Sequence, residues 1–375
     1  MIEFTDFDRL AMWRSLQLAS AGINSTRENP RVGAVLTKGS EFLAEGFHRA
    51  PGFPHAEVEA LNALNDVTDA FGATCYVTLE PCSYQGRTGP CVEALIDAGI
   101  ERVVAAMEDP NPRVSGSGFA ILRQAGVKVD VGLCSEEARA MNPGFISRMT
   151  RGRPIVWVKN AASLDGKIAM ADGESQWITG DSARQDVQRL RARVGAVVTG
   201  IETVLVDNPR LTVRHDEATI DWPDQVPVTQ PLRVILDSQG RLPLDAALCL
   251  EGGPILWVTT KSGFNLEGRL GDISHWEAPA DAKGRVDLTV LLLHLASLGI
   301  NEILVEAGAT LSSSFIEIGL VDKGVLYLAP KFLGQPARSL YNLAPAHLAD
   351  APTVFISEVR KVGDDLRLDW ILRTE

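Results

Sequence analysis

Residues Thr74–Cys91 read TCYVTLEPCSYQGRTGPC. The β-branched and apolar start predicts a buried strand, closed by Pro81. After it come Cys82, eight residues (SYQGRTGP) and Cys91. Upstream, His55-Ala56-Glu57 opens a stretch whose apolar residues Val58, Leu61 and Leu64 recur at helical spacing. A catalytic zinc ion takes three protein ligands and keeps one position for water. One imidazole (His55) and two thiolates (Cys82, Cys91) supply that set. A closed structural site needs a fourth ligand, and neither Cys75, inside the strand, nor the distant Cys134 is a natural one. Glu57 is two residues from His55, about 200° around a regular helix. This spacing predicts His55 at the mouth of a helix beginning near Pro54, with Glu57 in its first turn. There the carboxylate would carry a proton from the attacking water to a leaving group. Cys91 is expected to open its own helix, where the N-terminal dipole favours thiolate.

Outward from this core, the first half alternates. VGAVLT (Val32–Thr37), FLAEGFH, ERVVAAM and VKVDVGL read as strands, whereas the N-terminal segment, CVEALIDAGI and FAILRQAGV read as helices. Such alternation predicts a three-layer α/β domain. SRMTRGRP (Ser147–Pro154) is basic, contains Gly and Pro and lacks an apolar period, so the boundary is expected there, giving domains 1–150 and 151–375. Alternation then restarts. IVWVKNAA, GAVVTG, LRVILDS, PILWVTT, NEILVEAG and KGVLYLAP are expected strands, many of them continuous Val/Ile/Leu runs typical of a sheet covered on both faces. ARQDVQRLRARV and LTVLLLHLASLG are expected helices, and Asp216–Gln230 a polar surface loop. SGSGFA follows a loop, not a strand, so a dinucleotide-binding Gly-rich reading fails its context.

Bulk properties narrow the functional classes. The chain of 375 residues suits two domains, and its net charge of −12 opposes extended nucleic-acid contact. An anionic small substrate stays compatible, because a few local arginines suffice for one phosphate. Five cysteines are too few and odd for a disulfide framework and suit a reducing compartment. The acidic, amphipathic N-terminus is expected to be a helix and not a signal peptide, and no apolar run reaches membrane-spanning length. A cytoplasmic enzyme is the expectation.

The His-Ala-Glu, Pro-Cys and later Cys pattern resembles that of zinc nucleobase deaminases, with a wider cysteine spacing. HAEVEAL, YVTLEPCSYQGRTGPC, DPNPRVSGSG and the Asn29-Pro30 pair in ENPRVGAVL closely resemble the deaminase domain of the bifunctional riboflavin-biosynthesis deaminase/reductases. KNAASLDGKIA, GESQWITG, VLVDNPRLTVR and VEAGATLSSSF resemble the reductase domain of the same family. The resemblance implies a cytidine-deaminase-like domain followed by a dihydrofolate-reductase-like domain, with zinc and NADPH as cofactors. It implies His55, Cys82 and Cys91 as ligands and Glu57 as proton carrier. Asn29 would hold the pyrimidine and Arg87 would meet the substrate phosphate. In the reductase half, Ala161, Trp177, Thr203, Asp207, Ser238 and the turn Gly308, Ala309, Thr310, Leu311, Ser312, Ser313 and Ser314 would contact NADPH. Lys159, Ser175, Arg191, Leu211, Arg214 and Glu306 would contact substrate, with Arg191 and Arg214 on the ribose phosphate and Lys159 and Asp207 polarising the ribose. The implied partner is a small phosphorylated pyrimidine, and the implied assembly a homo-oligomer. Tyr84 and Glu59 depart from the family, which often has histidine at both places. A nucleic-acid base deaminase with an accessory domain is the alternative, opposed by charge and by cysteine spacing.

Overall fold

The computed structural model describes residues 3–85, 89–112, 114–264 and 272–373. Two units form, Met1–Gly152 together with Asp221–Val228, and Arg153–Ile220 together with Thr229–Glu375.

The first unit begins with α1 (Asp6–Ser20), started by a capping box in which Thr5 and Asp8 bond reciprocally. Then follow β1 (Gly33–Lys38), β2 (Glu41–Phe47), α2 (Ala56–Asn62), β3 (Thr74–Val77), α3 (Cys91–Asp97), β4 (Arg102–Ala105), α4 (Ser117–Gln124), β5 (Lys128–Val131), α5 (Ser135–Met141) and α6 (Pro143–Arg151). Among the described residues, five strands pair in the order β2-β1-β3-β4-β5, the last three parallel. Two glycines show the layering. A Cβ on Gly33 would lie 2.0 Å from the Ser15 carbonyl oxygen of α1, and one on Gly46 would lie 2.4 Å from the Ala60 nitrogen of α2. Gly46 pairs with Ala34, the neighbour of Gly33, and successive strand residues face opposite ways. The two helices therefore cover opposite faces, which makes the three expected layers. The core between them includes Met12, Leu16, Val35, Leu36, Tyr76, Val77 and Leu95.

The split between Gly152 and Arg153 falls within the expected stretch Ser147–Pro154. SRMTRGRP is not an irregular linker; α6 runs through it to Arg151 and stops at Gly152, whose φ of 68° is a left-handed helix end. Its burial rests on Gly144, Phe145 and Ser147, too few positions to give a visible apolar period.

The second unit contains β6 (Ile155–Ser163), β7 (Lys167–Ala169), α7 (Asp181–Arg193), β8 (Ala196–Gly200), α8 (Ile201–Asp207), β9 (Leu232–Leu236), α9 (Ala247–Leu250), β10 (Ile255–Thr259), β11 (Ile273–Glu277), α10 (Leu288–Ser297), β12 (Glu302–Glu306), α11 (Ala309–Glu317), β13 (Lys323–Ala329), β14 (Arg338–Ser339), β15 (Val354–Val362) and β16 (Asp365–Leu372). Its large sheet runs β11-β10-β9-β8-β12-β6-β13-β16-β15 among the described residues. From β11 to β13 all pairings are parallel, and β16 and β15 close the edge antiparallel. The Val/Ile/Leu runs are this parallel part, with Val156, Val158, Val198, Val234 and Val305 fully buried. The hairpin β15–β16 was not anticipated, because its strands carry charges and β15 is exposed along almost its whole length. The polar stretch Asp216–Gln230 is indeed without strand, but Asp221–Val228 belongs to the first unit and Val226 in it is buried.

Candidate active sites

In the first unit, the chain turns from β2 into α2 with His55 as the residue capping the helix, so Glu57 falls in the first turn as expected. Cys91 is the first residue of α3, and its amide hydrogen-bonds the Cys82 sulfur at 3.3 Å. The Nδ1 of His55 lies 3.2 Å from Cys91 Sγ and 3.4 Å from Cys82 Sγ, and the two sulfurs are 3.4 Å apart. Tetrahedral zinc, with bonds of about 2.3 Å to sulfur and 2.0 Å to nitrogen, spaces its ligands roughly 3.5–3.8 Å apart; the trio stands a few tenths of an ångström closer, and its one nitrogen and two sulfurs are a zinc donor set. Among the described residues no other such cluster of three metal-type side chains occurs.

The electrostatics of the trio are coupled. Cys82 is held below the ordinary thiol range, first by the hydrogen bond from Cys91 and also by His55, and the same Cys82 contact pushes Cys91 up. Cys82 Sγ accepts from the Cys91 amide and faces the His55 imidazole, contacts that favour its thiolate. Glu57 is buried, and desolvation raises its carboxyl to about 7. A carboxyl balanced there can both take up and release a proton near neutrality.

His55, Glu57 and Cys82 open on a cavity of about 410 Å³ whose walls also include Asn29, His48, Phe53, Tyr84, Asp109, Asn111 and Arg148. Asn29 therefore reaches the site. Its Nδ2 lies 2.9 Å from His48 Nε2, and His48 Nδ1 lies 3.1 Å from the Pro54 carbonyl. A carbonyl only accepts, so Nδ1 carries the proton and Nε2 accepts from Asn29, leaving Asn29 Oδ1 as an acceptor for ligand. Burial lowers the His48 pKa to about 4, which keeps the ring neutral. His48 was missed in the sequence; a lone histidine at a strand end carries no signal. Asp109 was missed too, and burial raises it to about 6. Its loop is clamped by Glu80, whose carboxylate accepts from the amides of Asp109, Gly116, Gly118 and Phe119. Arg87 lies outside the described residues. Glu59 is ion-paired with Arg49 at 2.8 Å and does not line the cavity, whereas Tyr84 does.

In the second unit, the expected residues gather at the carboxyl ends of the parallel strands, where open α/β sheets place ligands. One cavity of about 520 Å³ collects Lys159, Ala161, Ser175, Trp177, Arg191, Thr203, Asp207, Leu211, Arg214, Glu306 and Gly308. A neighbouring one of about 840 Å³ collects Thr203, Ser238, Gly308, Ala309, Thr310, Leu311 and Ser314. Four cations also line it, Arg241, Lys283, Arg285 and Arg338, and none was anticipated. Its size, these cations and the N-terminus of α11 at Gly308 suit a pyrophosphate-bearing dinucleotide.

Two of the expected cofactor contacts turn away from the cavities. Ser312 and Ser313 are buried: Ser312 Oγ accepts from Asn160 and donates to the Ala307 carbonyl, and Ser313 Oγ accepts from the Asn342 amide. Their hydroxyls brace α11, and neither residue lines either cavity. Arg191 is not a solvated helix charge; its guanidinium holds Glu306 at 2.5 and 2.9 Å and the Thr212 carbonyl at 3.0 Å. Burial alone would raise the Glu306 carboxyl, but Arg191 holds it below its ordinary range. A phosphate at Arg191 would share that fork. Arg214 pairs with Glu217 at 2.9 Å. Lys159, opposite Glu306 in register, is lowered by burial. Ser175 Oγ donates to Asp207 at 2.9 Å, joining an expected substrate contact to an expected cofactor contact. Trp177 is 63% exposed, so it is no core residue.

Each half of the chain matches a known family. Residues 5–107 match the family model of the cytidine and deoxycytidylate deaminase zinc-binding region, and residues 154–366 that of the RibD C-terminal domain. The riboflavin biosynthesis protein RibD of Escherichia coli is 45% identical over 374 residues, 97% of this chain and 99% of its own. That of Haemophilus influenzae is 43% identical, over 99% of both chains. The solved structure of Acinetobacter baumannii RibD superposes with a TM-score of 0.89 at 42% identity, over 98% of this chain and 99% of that one. A diaminohydroxyphosphoribosylaminopyrimidine deaminase/5-amino-6-(5-phosphoribosylamino)uracil reductase from Thermotoga maritima gives 0.83 at 31% identity, over 98% and 99%.

Proposed function

The chain belongs to the RibD family of riboflavin biosynthesis proteins, and from that premise we propose how its residues divide two reactions between them. It is a bifunctional enzyme, a zinc-dependent deaminase and an NADPH-dependent reductase. Deamination is assigned to residues 1–150 and reduction to residues 151–375. The first substrate is 2,5-diamino-6-(5-phosphoribosylamino)pyrimidin-4-one, converted to the uracil, and the second step reduces the ribosyl group of that uracil to ribityl. The observation carrying the first assignment is the convergence of His55 Nδ1, Cys82 Sγ and Cys91 Sγ beside the buried Glu57.

When bound to these three ligands, zinc lowers the pKa of a water and makes it a nucleophile near neutral pH. Glu57 takes the proton from the attacking water and returns it to the amine that leaves as ammonia. Asn29, oriented by His48, holds the ring through its Oδ1, and Arg87 meets the phosphate. In the reductase, NADPH supplies the hydride for C1 of the ribosyl group, opened to its imine. Ala161, Trp177, Thr203, Ser238 and the Gly308–Ser314 turn bind the cofactor, with Ser312 and Ser313 acting as braces. Lys159 and Asp207 polarise the ribose, and Ser175, Arg191, Leu211, Arg214 and Glu306 enclose the substrate.

The protein acts in the cytoplasm as a homo-oligomer. Free thiols at all five cysteines support the first statement, and no helix among the described residues is long and apolar enough to cross a membrane. The exposed hairpin supports the second: Phe355, Ile356 and Val359 are each about half exposed on an edge strand. The decisive assay feeds the diaminopyrimidine phosphate and follows ammonia release and NADPH oxidation together. Zinc removal is expected to stop the first and spare the second when the deaminated uracil is supplied; ammonia release without metal overturns the assignment.

A further inference from the structure

We propose that Asp221–Val228, drawn from the second half of the sequence, is a positioning element of the deaminase cavity, with Trp222 as its positioning residue. The proposal rests on the reading of Asn29 as a pyrimidine contact.

Asn29 is delivered by a turn. The Asn29 amide donates to the Thr26 carbonyl at 2.8 Å, so Thr26–Asn29 is a β-turn with Arg27 in its second position. Arg27 has a φ of 35°, in the left-handed region that arginine seldom adopts and that costs about 1 kcal/mol. Such a residue persists where its surroundings over-determine it. From below, the turn is tied to its own base, since Ser25 and Thr26 amides and the Thr26 hydroxyl all bond the Gly22 carbonyl. From outside, it is covered by Asp221–Val228. The Asn24 amide Nδ2 donates to the Asp221 carbonyl at 2.9 Å, and the Arg27 guanidinium carbon stands 5.8 Å from the centre of the Trp222 ring. That segment is itself fastened, because Trp222 Nε1 donates to the Val226 carbonyl at 3.0 Å and Val226 is buried. The strained residue that sets the hand of the turn is thus the one the indole contacts, two residues before Asn29.

A polar insertion nearly 200 residues away in sequence (197 between Asn24 and Asp221) thereby supports a wall of the deaminase cavity. Loosening it would blur the position of Asn29 without touching the zinc ligands or Glu57. The expected signature is a weaker substrate grip with intact chemistry.

The test uses the full chain. Trp222→Ala is expected to raise KM for ammonia release about five- to ten-fold, the size of one cation–π contact, with kcat within about two-fold and zinc content unchanged. Trp222→Phe, which keeps an aromatic face, is expected to restore most of the loss. Amide hydrogen exchange of Ile23–Asn29 is measured alongside and should accelerate in Trp222→Ala while α2 stays as protected as in the parent. Asn24→Ala, which removes the bond to Asp221, should accelerate the same amides. Unchanged exchange in both variants overturns the proposal, as does joint loss of kcat and zinc, which would make the segment a general support of the fold. Asn29→Ala is run in parallel. If it leaves KM unaltered, the reading of Asn29 falls, and the exchange result alone still decides whether Trp222 holds the turn.

Discussion

Arg191 and Glu306 form a twin hydrogen-bonded ion pair, 2.5 Å from Nε to Oε1 and 2.9 Å from Nη2 to Oε2, although 115 residues separate them. The pair floors the smaller cavity of the second unit, with Lys159 beside it. Removing one partner of a buried pair leaves the other charge uncompensated, at a cost of about 3 kcal/mol or more. Glu306→Ala is therefore expected to lower the thermal midpoint of the second unit and to depress reduction of the supplied uracil. Arg191→Met and Arg191→Ala both leave the Glu306 carboxylate without its partner, but methionine fills the space and should destabilise less than alanine. Scanning calorimetry of the three variants checks the order.

Glu57 is buried in the first turn of α2, two residues after the ligand His55. Glu57→Gln keeps shape and removes the proton carrier. Ammonia release should fall by about 10²–10⁴-fold, with metal content, measured by atomic absorption, equal to the parent. Turnover within a few-fold of the parent would remove Glu57 from the mechanism.

Asp8 anchors the first unit. Its carboxylate accepts from the Thr5 amide and hydroxyl, the Tyr76 hydroxyl and Arg102, and although burial opposes ionisation, these bonds hold it at about 2. Its folded pKa lies below the unfolded value, near 3.9. The stability it contributes is therefore present above pH 4 and is lost as pH falls towards 2. Asp8→Asn should cost on the order of 1–2 kcal/mol at neutral pH, after allowance for solvent screening. The gap from the parent should close between pH 4 and 2. Acid titration followed by far-UV circular dichroism reads it.

The hairpin edge predicts assembly. Val359→Asp, in the exposed strand β15, is expected to shift the sedimentation profile towards the monomer without unfolding the chain. An unchanged profile would move the interface elsewhere.

Much of the first site was legible because its chemistry is local. His55 and Glu57 share one helix start, Cys91 opens another, and Pro81-Cys82 lies in the segment that follows β3, so ligand type and spacing spoke together. The layers of the first unit and the parallel core of the second also followed from periodicity and from Val/Ile/Leu runs. What stayed hidden depended on partners far apart in sequence. The inward turn of Ser312 and Ser313, the pairing of Arg191 with Glu306 and the packing of Trp222 near Arg27 leave no periodic trace. Neither does the tautomer of His48, which the Pro54 carbonyl decides.

Thr74–Cys91, with the His-Ala-Glu upstream, thus determined by residue type and spacing that a metal-binding α/β domain was present. Tertiary structure alone decided how closely the three ligands converge, which carboxyl is raised and what orients Asn29. Those properties arise from burial and from hydrogen bonds between distant segments, and a linear pattern encodes neither.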